Sequence, residues 1–144
     1  MANWANGIYE VENADKYAGN RKPRYRSSWE HAFMRFCDNH PSVVQWASES
    51  IQIPYRNPLT GKQSVYVPDF LIVYQNKSGS RRAELIEVKP ASQTRLTEKT
   101  KPQEKLQIAL NHAKWEAAAK WCRLKGLNFR IINENDIFHG GKRR

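Results

Sequence analysis

The chain has 144 residues, enough for one domain with a real core and too few for two. Hydrophobic residues make up 40% and aromatics 11%, which excludes a disordered chain, and no apolar run approaches the roughly 18 residues of a membrane span. Lys and Arg number 24 against 14 Asp and Glu, a net charge of +10, and a chain this basic points to a polyanionic partner, nucleic acid being the usual one.

Residues 1–24 are polar and end in Arg21, Lys22 and Arg24. They read as a poorly regular basic arm, laid over a domain that spans 25–138. Met1-Ala2-Asn3-Trp4 runs into polar sequence, so no signal peptide is expected. Ser27 or Ser28 is an expected N-cap for a first helix. Trp29, Phe33, Phe36 and Cys37 recur at spacings of three and four, an apolar stripe that packs against something. That helix should stop near Asp38-Asn39-His40-Pro41, because the residue before proline avoids helix. Cys37 and Cys122 lack metal-site spacing and read as core thiols of a reducing compartment.

Val43 to Trp46 reads as a short strand or turn. Glu49 to Tyr55 alternates and reads as a strand ended by Pro54. After a turn at 56–62, Gln63 to Tyr74 reads as one long strand with Pro68-Asp69 in its middle. Arg81 to Val88 pairs with it across the turn-forming stretch Gln75 to Ser80. Residues two apart on a strand share a face, so Glu87 and Lys89 point the same way and Asp69 can sit beside them on the partner strand. Glu84, three before Glu87, points to the opposite face and stays out of the group. Two carboxylates and a lysine at the end of a hairpin can hold a divalent metal and polarise water for phosphodiester hydrolysis. The bland alternative is a surface salt bridge.

Pro90 to Gln103 is polar and carries Arg95, Lys99 and Lys101, a loop suited to riding along a DNA strand or to acting as a solvated linker. Gln93 is a lesser candidate there. Glu104 to Lys125 reads as a second helix with Leu106, Ala109, Leu110, Ala113, Ala117, Trp121 and Leu124 on its buried face, stopped by Gly126. His112 reads as a surface histidine. Lys114 is a candidate phosphate contact and Trp115 a packing residue. Phe129 to Ile132 is the last strand, and 139–144 a flexible basic tail. Helix, strand, hairpin, helix and strand together predict an α/β/α sandwich with a mixed central β-sheet.

Pro68-Asp69, a spacer and Glu87-Val88-Lys89 resemble the motif of the PD-(D/E)XK nuclease superfamily, whose restriction-endonuclease-like fold is this same sandwich. Around it stand Tyr25 to Glu30, Glu49 to Arg56, Gly61-Lys62 before Pro68-Asp69-Phe70, Ile86 to Pro90, and Asn111 to Ala118. Together, over residues 13–134, they resemble the head completion nuclease family of tailed bacteriophages. The sequence departs from that family at Thr60, where aspartate is common, and at Ser64-Val65, where a His-Arg pair is common. Both lie off the catalytic motif.

The resemblance implies Mg²⁺, with Mn²⁺ as a substitute, held by Asp69, Glu87 and the Val88 carbonyl, with Lys89 orienting the attacking water. Glu30 is either a capping-box glutamate or a further metal-site carboxylate, the role that related nucleases give it. Arg24, Arg26, Arg95, Lys99, Lys101 and Lys114 are the expected DNA contacts. The implied activity is an endodeoxyribonuclease, with exonuclease action left open, that acts on double-stranded packaged DNA with little sequence specificity and permits head–tail joining. Implied partners are head or portal and neck proteins, with a homodimer also open. The implied location is the host cytoplasm during assembly, or the virion. A transposon-end or Holliday-junction nuclease, and an inert structural head protein that binds DNA or the portal, are the rival readings.

Overall fold

The structure, a computed structural model, describes residues 6–90, 100–133 and 135–136. The elements are β1 (Gly7–Ile8), β2 (Arg24–Tyr25), α1 (Ser28–Asn39), β3 (Val43–Ser48), β4 (Ile53–Arg56), β5 (Gln63–Tyr66), β6 (Phe70–Gln75), β7 (Arg81–Val88), α2 (Pro102–Lys125) and β8 (Asn128–Ile132). The central sheet runs β3-β6-β7-β8. β6 is antiparallel to both β3 and β7, and β8 runs parallel to β7, so the sheet is mixed.

Alternation along the central strands loads the two faces differently. Phe70, Ile72, Ile86, Val88 and Ile132 face α1, where they pack with Phe33, Met34 and Cys37. Leu71, Leu85, Phe129 and Ile131 face α2, where Trp115, Ala118 and Cys122 cover them together with Ile53, Tyr55 and Tyr66. The result is the expected α/β/α sandwich. Leu85 to Val88 is buried at every position, as a strand covered on both faces must be. No helix among the described residues is long and apolar enough to cross a membrane.

Ser27 caps α1: its Oγ accepts from the Glu30 N–H at 3.1 Å. The helix ends at Asn39, just before His40-Pro41. The turn between β6 and β7 is closed by the Asn76 side chain, which accepts from the N–H groups of Ser78 and Ser80, both at 3.0 Å.

Four features differ from expectation. The strand expected over 63–74 is two strands. Pro68 has no N–H to give a ladder, and its fully buried ring turns the chain. So β5 pairs with β4 in a separate ribbon, while β6 enters the central sheet. The strand expected from Glu49 starts instead at Ile53. Glu49 takes a left-handed φ of 49° and ends the β3 run. Pro54 lies inside β4, opposite Val65, where a two-stranded ribbon tolerates the missing donor.

The fully buried face of α2 is Ile108, Asn111, Trp115, Ala118 and Cys122; of the expected stripe, Leu110, Ala113, Ala117 and Trp121 pack partly buried against the same core. Leu106 and Leu124 are exposed. A 24-residue helix is roughly 36 Å long, about twice the reach of β8, so its two ends overhang the sheet. Finally, β1 and β2 form a ribbon, with Gly7 opposite Tyr25, so a boundary after residue 24 would cut β2. Asp38, fully buried at the end of α1, accepts from Tyr9 Oη at 2.7 Å, the Glu12 N–H at 2.8 Å and the Asn13 N–H at 3.0 Å. These bonds tie the segment before β2 to the domain.

Candidate active site

Asp69 stands at the mouth of β6, where β6 pairs with β7 through Phe70 and Ile86. Its Oδ2 accepts from the Val88 N–H at 2.7 Å, which locks the carboxylate across the two arms of the hairpin. Glu87 lies one residue earlier on β7 and is buried. Its Oε1 accepts from Tyr66 Oη at 2.7 Å, and Lys89 Nζ stands 3.7 Å from its Oε2. The Lys89 N–H donates to the Ile132 carbonyl at 2.9 Å, so the parallel β8 strand fixes the lysine backbone.

Glu30 enters from the first turn of α1. Its Oε1 accepts from the Arg26 N–H at 3.0 Å. With Ser27 as the N-cap, this bond falls one residue before the cap and is not a capping box; it braces the entry to the helix while the carboxylate stands in the field of Lys89 and Glu49.

Electrostatics bring the group together. Burial pushes the Asp69 carboxyl well above the usual range, and the charges of Glu87 and Glu30 push it further, against the Val88 hydrogen bond and Lys89. Burial also raises Glu87, which the Tyr66 hydroxyl, Lys89 and Lys114 partly offset. Burial raises Glu30, with Glu49 adding to it and Arg26 and Lys89 opposing it. Crowded, half-desolvated carboxylates of this kind mark functional sites and favour a cation among them.

The other expected residues scatter. Lys114, on α2, sits over the Tyr66 ring at 5.9 Å and lies within the field of Glu87. Arg26 is ion-paired with Glu49, and burial is outweighed as this carboxylate raises the guanidinium pKa. Arg24 is exposed on β2. Lys101 is exposed just before α2, where its N–H donates to Glu104 Oε1 at 2.9 Å. Arg95, Lys99 and Gln93 lie outside the described residues, as does the 139–144 tail. Trp115 is buried, and His112 is exposed with its ring 5.6 Å from that of Trp115. Glu84 faces away from the group, bonded by the Tyr74 hydroxyl, with Arg130 Nε at 3.5 Å.

Tyr66 and the Arg26–Glu49 pair were missed. In one continuous strand Tyr66 and Asp69, three apart, would face opposite ways. The turn at Pro68 brings both onto Glu87. An aromatic hydroxyl three residues before the motif was the available signal.

Among the described residues no three His, Cys, Asp or Glu side chains stand together as a group that could hold a metal ion. The donor set does suit a hard cation: Asp69, Glu87 and Glu30 offer only oxygen, and burial, with the neighbouring carboxylate charges added to it, disfavours their charged forms unless a cation offsets it.

A mixed sheet between two helices, with an aspartate at the mouth of one central strand and Glu-x-Lys ending its neighbour, defines a nuclease of the PD-(D/E)XK type. The family of TnsA-like endonuclease N-terminal domains matches residues 40–134, which include Asp69, Glu87 and Lys89 but not Glu30. The head completion nuclease of Enterobacteria phage T4 is 32% identical over 142 residues, covering 91% of this chain and 92% of that protein. The chain belongs to the head completion nuclease family, with the TnsA-like endonuclease domain as its core.

Proposed function

We propose that this protein is a metal-dependent endonuclease that hydrolyses DNA phosphodiesters at Asp69, Glu87 and Lys89, with Glu30 completing the site. The observation that supports this is the convergence of three buried or half-buried carboxylates and one lysine at the mouths of β6 and β7. Mg²⁺, or Mn²⁺ in its place, would be held by Asp69, Glu87 and the Val88 carbonyl, with Glu30 directly or through water. When bound, such an ion neutralises the scissile phosphate and lowers the pKa of an attacking water.

The protein supplies the rest. The Val88 N–H and the Tyr66 hydroxyl each hold one carboxylate oxygen and leave the other to the site. Lys89 Nζ orients the water and stabilises charge that grows on the phosphate. Arg24, Arg26, Lys101 and Lys114, with Arg95 and Lys99, hold the DNA backbone. Contacts of this kind carry no base information, so cleavage has little sequence specificity and a steep salt dependence. The name of the phage T4 relative supports a role in head completion, in which trimming of packaged DNA permits head–tail joining at the portal or neck.

Plasmid nicking tests this reading. Purified protein should relax supercoiled DNA in Mg²⁺ and in Mn²⁺, and not in chelator. Intact but shifted DNA with either metal would overturn it in favour of a binding protein. The TnsA-like match over residues 40–134 also favours a second reading, a nuclease of transposon-end type. Faster cleavage of branched than of linear duplex, or dependence on a recombinase partner, would support that reading or its Holliday-junction counterpart.

A further inference from the structure

Beside the carboxylates lies a second, strongly basic cleft of about 450 Å³, within the size range of ligand-binding pockets, about 300–1,000 Å³. Arg21, Lys22, Arg24 and Arg26 line it, and Glu49 is the one acidic residue in its described lining. Its wall is a fixed turn. The Tyr17 ring lies 4.7 Å from that of Trp46, and Tyr17 Oη donates to the Arg21 carbonyl at 2.7 Å. Gly19 packs so closely that a Cβ there would meet Tyr17 Oη at 2.3 Å. The cations therefore stand on a built surface.

Two residues belong to both sites. The Arg26 N–H holds Glu30, while its guanidinium forks onto both oxygens of Glu49. The Glu49 N–H holds the Asp69 carbonyl at 2.9 Å, while its carboxylate faces the cleft. Glu49 also adopts a left-handed backbone, a conformation that is uncommon for a non-glycine residue and clusters at functional sites. A carboxylate on a guanidinium fork presents the same two-oxygen edge as a phosphodiester.

We propose that this cleft is a subsite for backbone phosphates flanking the scissile bond, and that Glu49 occupies Arg26 until a DNA phosphate displaces it. The inference rests on the nuclease reading and extends its DNA contacts to Arg21 and Lys22, with Glu49 as the anion that the phosphate replaces. Lys22 is not committed elsewhere: its only described ion pair is a loose one with exposed Glu10 at 3.9 Å.

The test is fluorescence anisotropy with a short labelled duplex in chelator, across a salt series, on variants whose circular dichroism matches wild type. Arg21→Ala with Lys22→Ala should weaken binding about tenfold and flatten the salt slope by about two units, as expected for two lost phosphate contacts. Arg24→Gln, outside the turn, should weaken it in the same direction. Glu49→Gln should tighten binding several-fold, and Glu49→Gln with Arg26→Gln should lose that gain. Unchanged affinity and slope in the Arg21/Lys22 variant, or no tightening in Glu49→Gln, would overturn the inference. If wild type still nicks plasmid in Mg²⁺, the inference fails alone. If wild type neither binds nor cuts DNA, the nuclease reading falls with it.

Discussion

The Tyr66 hydroxyl donates to Glu87 Oε1 at 2.7 Å, from a strand that belongs to a different sheet. Burial and the Glu87 charge raise the tyrosine pKa well above its ordinary value, so it stays a donor throughout the working range. The bond favours the charged form of Glu87. It also fixes which carboxylate oxygen is left to face Lys89.

Tyr66→Phe should therefore slow cleavage more than it weakens DNA binding. The ring stays, so Lys114 keeps its platform, and the loss of one charge-assisted bond costs on the order of 1–3 kcal/mol. In the proposed reaction that should appear as a lower kcat with KM for DNA little changed, and as a higher Mg²⁺ requirement. A rise in KM alone would mean that Tyr66 serves substrate binding instead.

Asp69→Asn should stabilise the metal-free protein. Folding raises the Asp69 pKa. Such a group stabilises the fold below its unfolded pKa and loses that contribution as pH rises through the folded value. At neutral pH a neutral amide should remove the repulsion with Glu87 and Glu30 and still accept the Val88 N–H. Tm in chelator should rise by about 3–6 °C per kcal/mol recovered, and the stabilisation of wild type by added Mg²⁺ should vanish. Differential scanning calorimetry with and without Mg²⁺ measures both.

Asp38→Asn should loosen the segment before β2. Burial alone would raise the Asp38 pKa, but the hydrogen bonds from Glu12, Tyr9 and Asn13 outweigh it and hold the group low. A depressed carboxylate contributes stability that is complete above its unfolded pKa of about 3.9 and is lost as pH falls through the lower folded value. The variant should lose about 2–3 kcal/mol at neutral pH, and its deficit should shrink below that range. Limited proteolysis should then cut within residues 6–24, where wild type resists.

Glu84→Gln should separate stability from chemistry. Glu84 lies on the α1 face, bonded by Tyr74 and near Arg130, while Glu87 lies toward α2. The change should cost about 1–2 kcal/mol and leave the plasmid cleavage rate within about twofold of wild type. A rate loss matching that of Glu87→Gln would break the assignment of faces.

The placement of the candidate site residues was legible because a strand imposes a two-residue period. Glu87 and Lys89 had to share a face, Glu84 had to leave it, and Asp69 had to stand on the neighbouring strand. What was hidden depended on pairing choices that local pattern does not contain. Pro68 diverts the chain, so β5 joins β4, and only that swap makes Tyr66 a partner of Glu87. Asp38 looked like a helix-ending polar residue. Its burial becomes possible only when residues some 25 positions away return to donate to it. The phase of α2 was hidden because Leu106 and Leu124 overhang the sheet, whereas Asn111 is buried and takes a bond from Gln107 at 3.1 Å.

The most direct test is the initial rate of plasmid relaxation in Mg²⁺ by wild type, Asp69→Asn, Glu87→Gln and Lys89→Met, with duplex affinity measured on the same preparations. A single centre built from these residues predicts that each substitution lowers the rate by at least about 100-fold while DNA affinity stays within a few-fold of wild type. Folded variants that cut at the wild-type rate would contradict it and place the chemistry elsewhere in the chain.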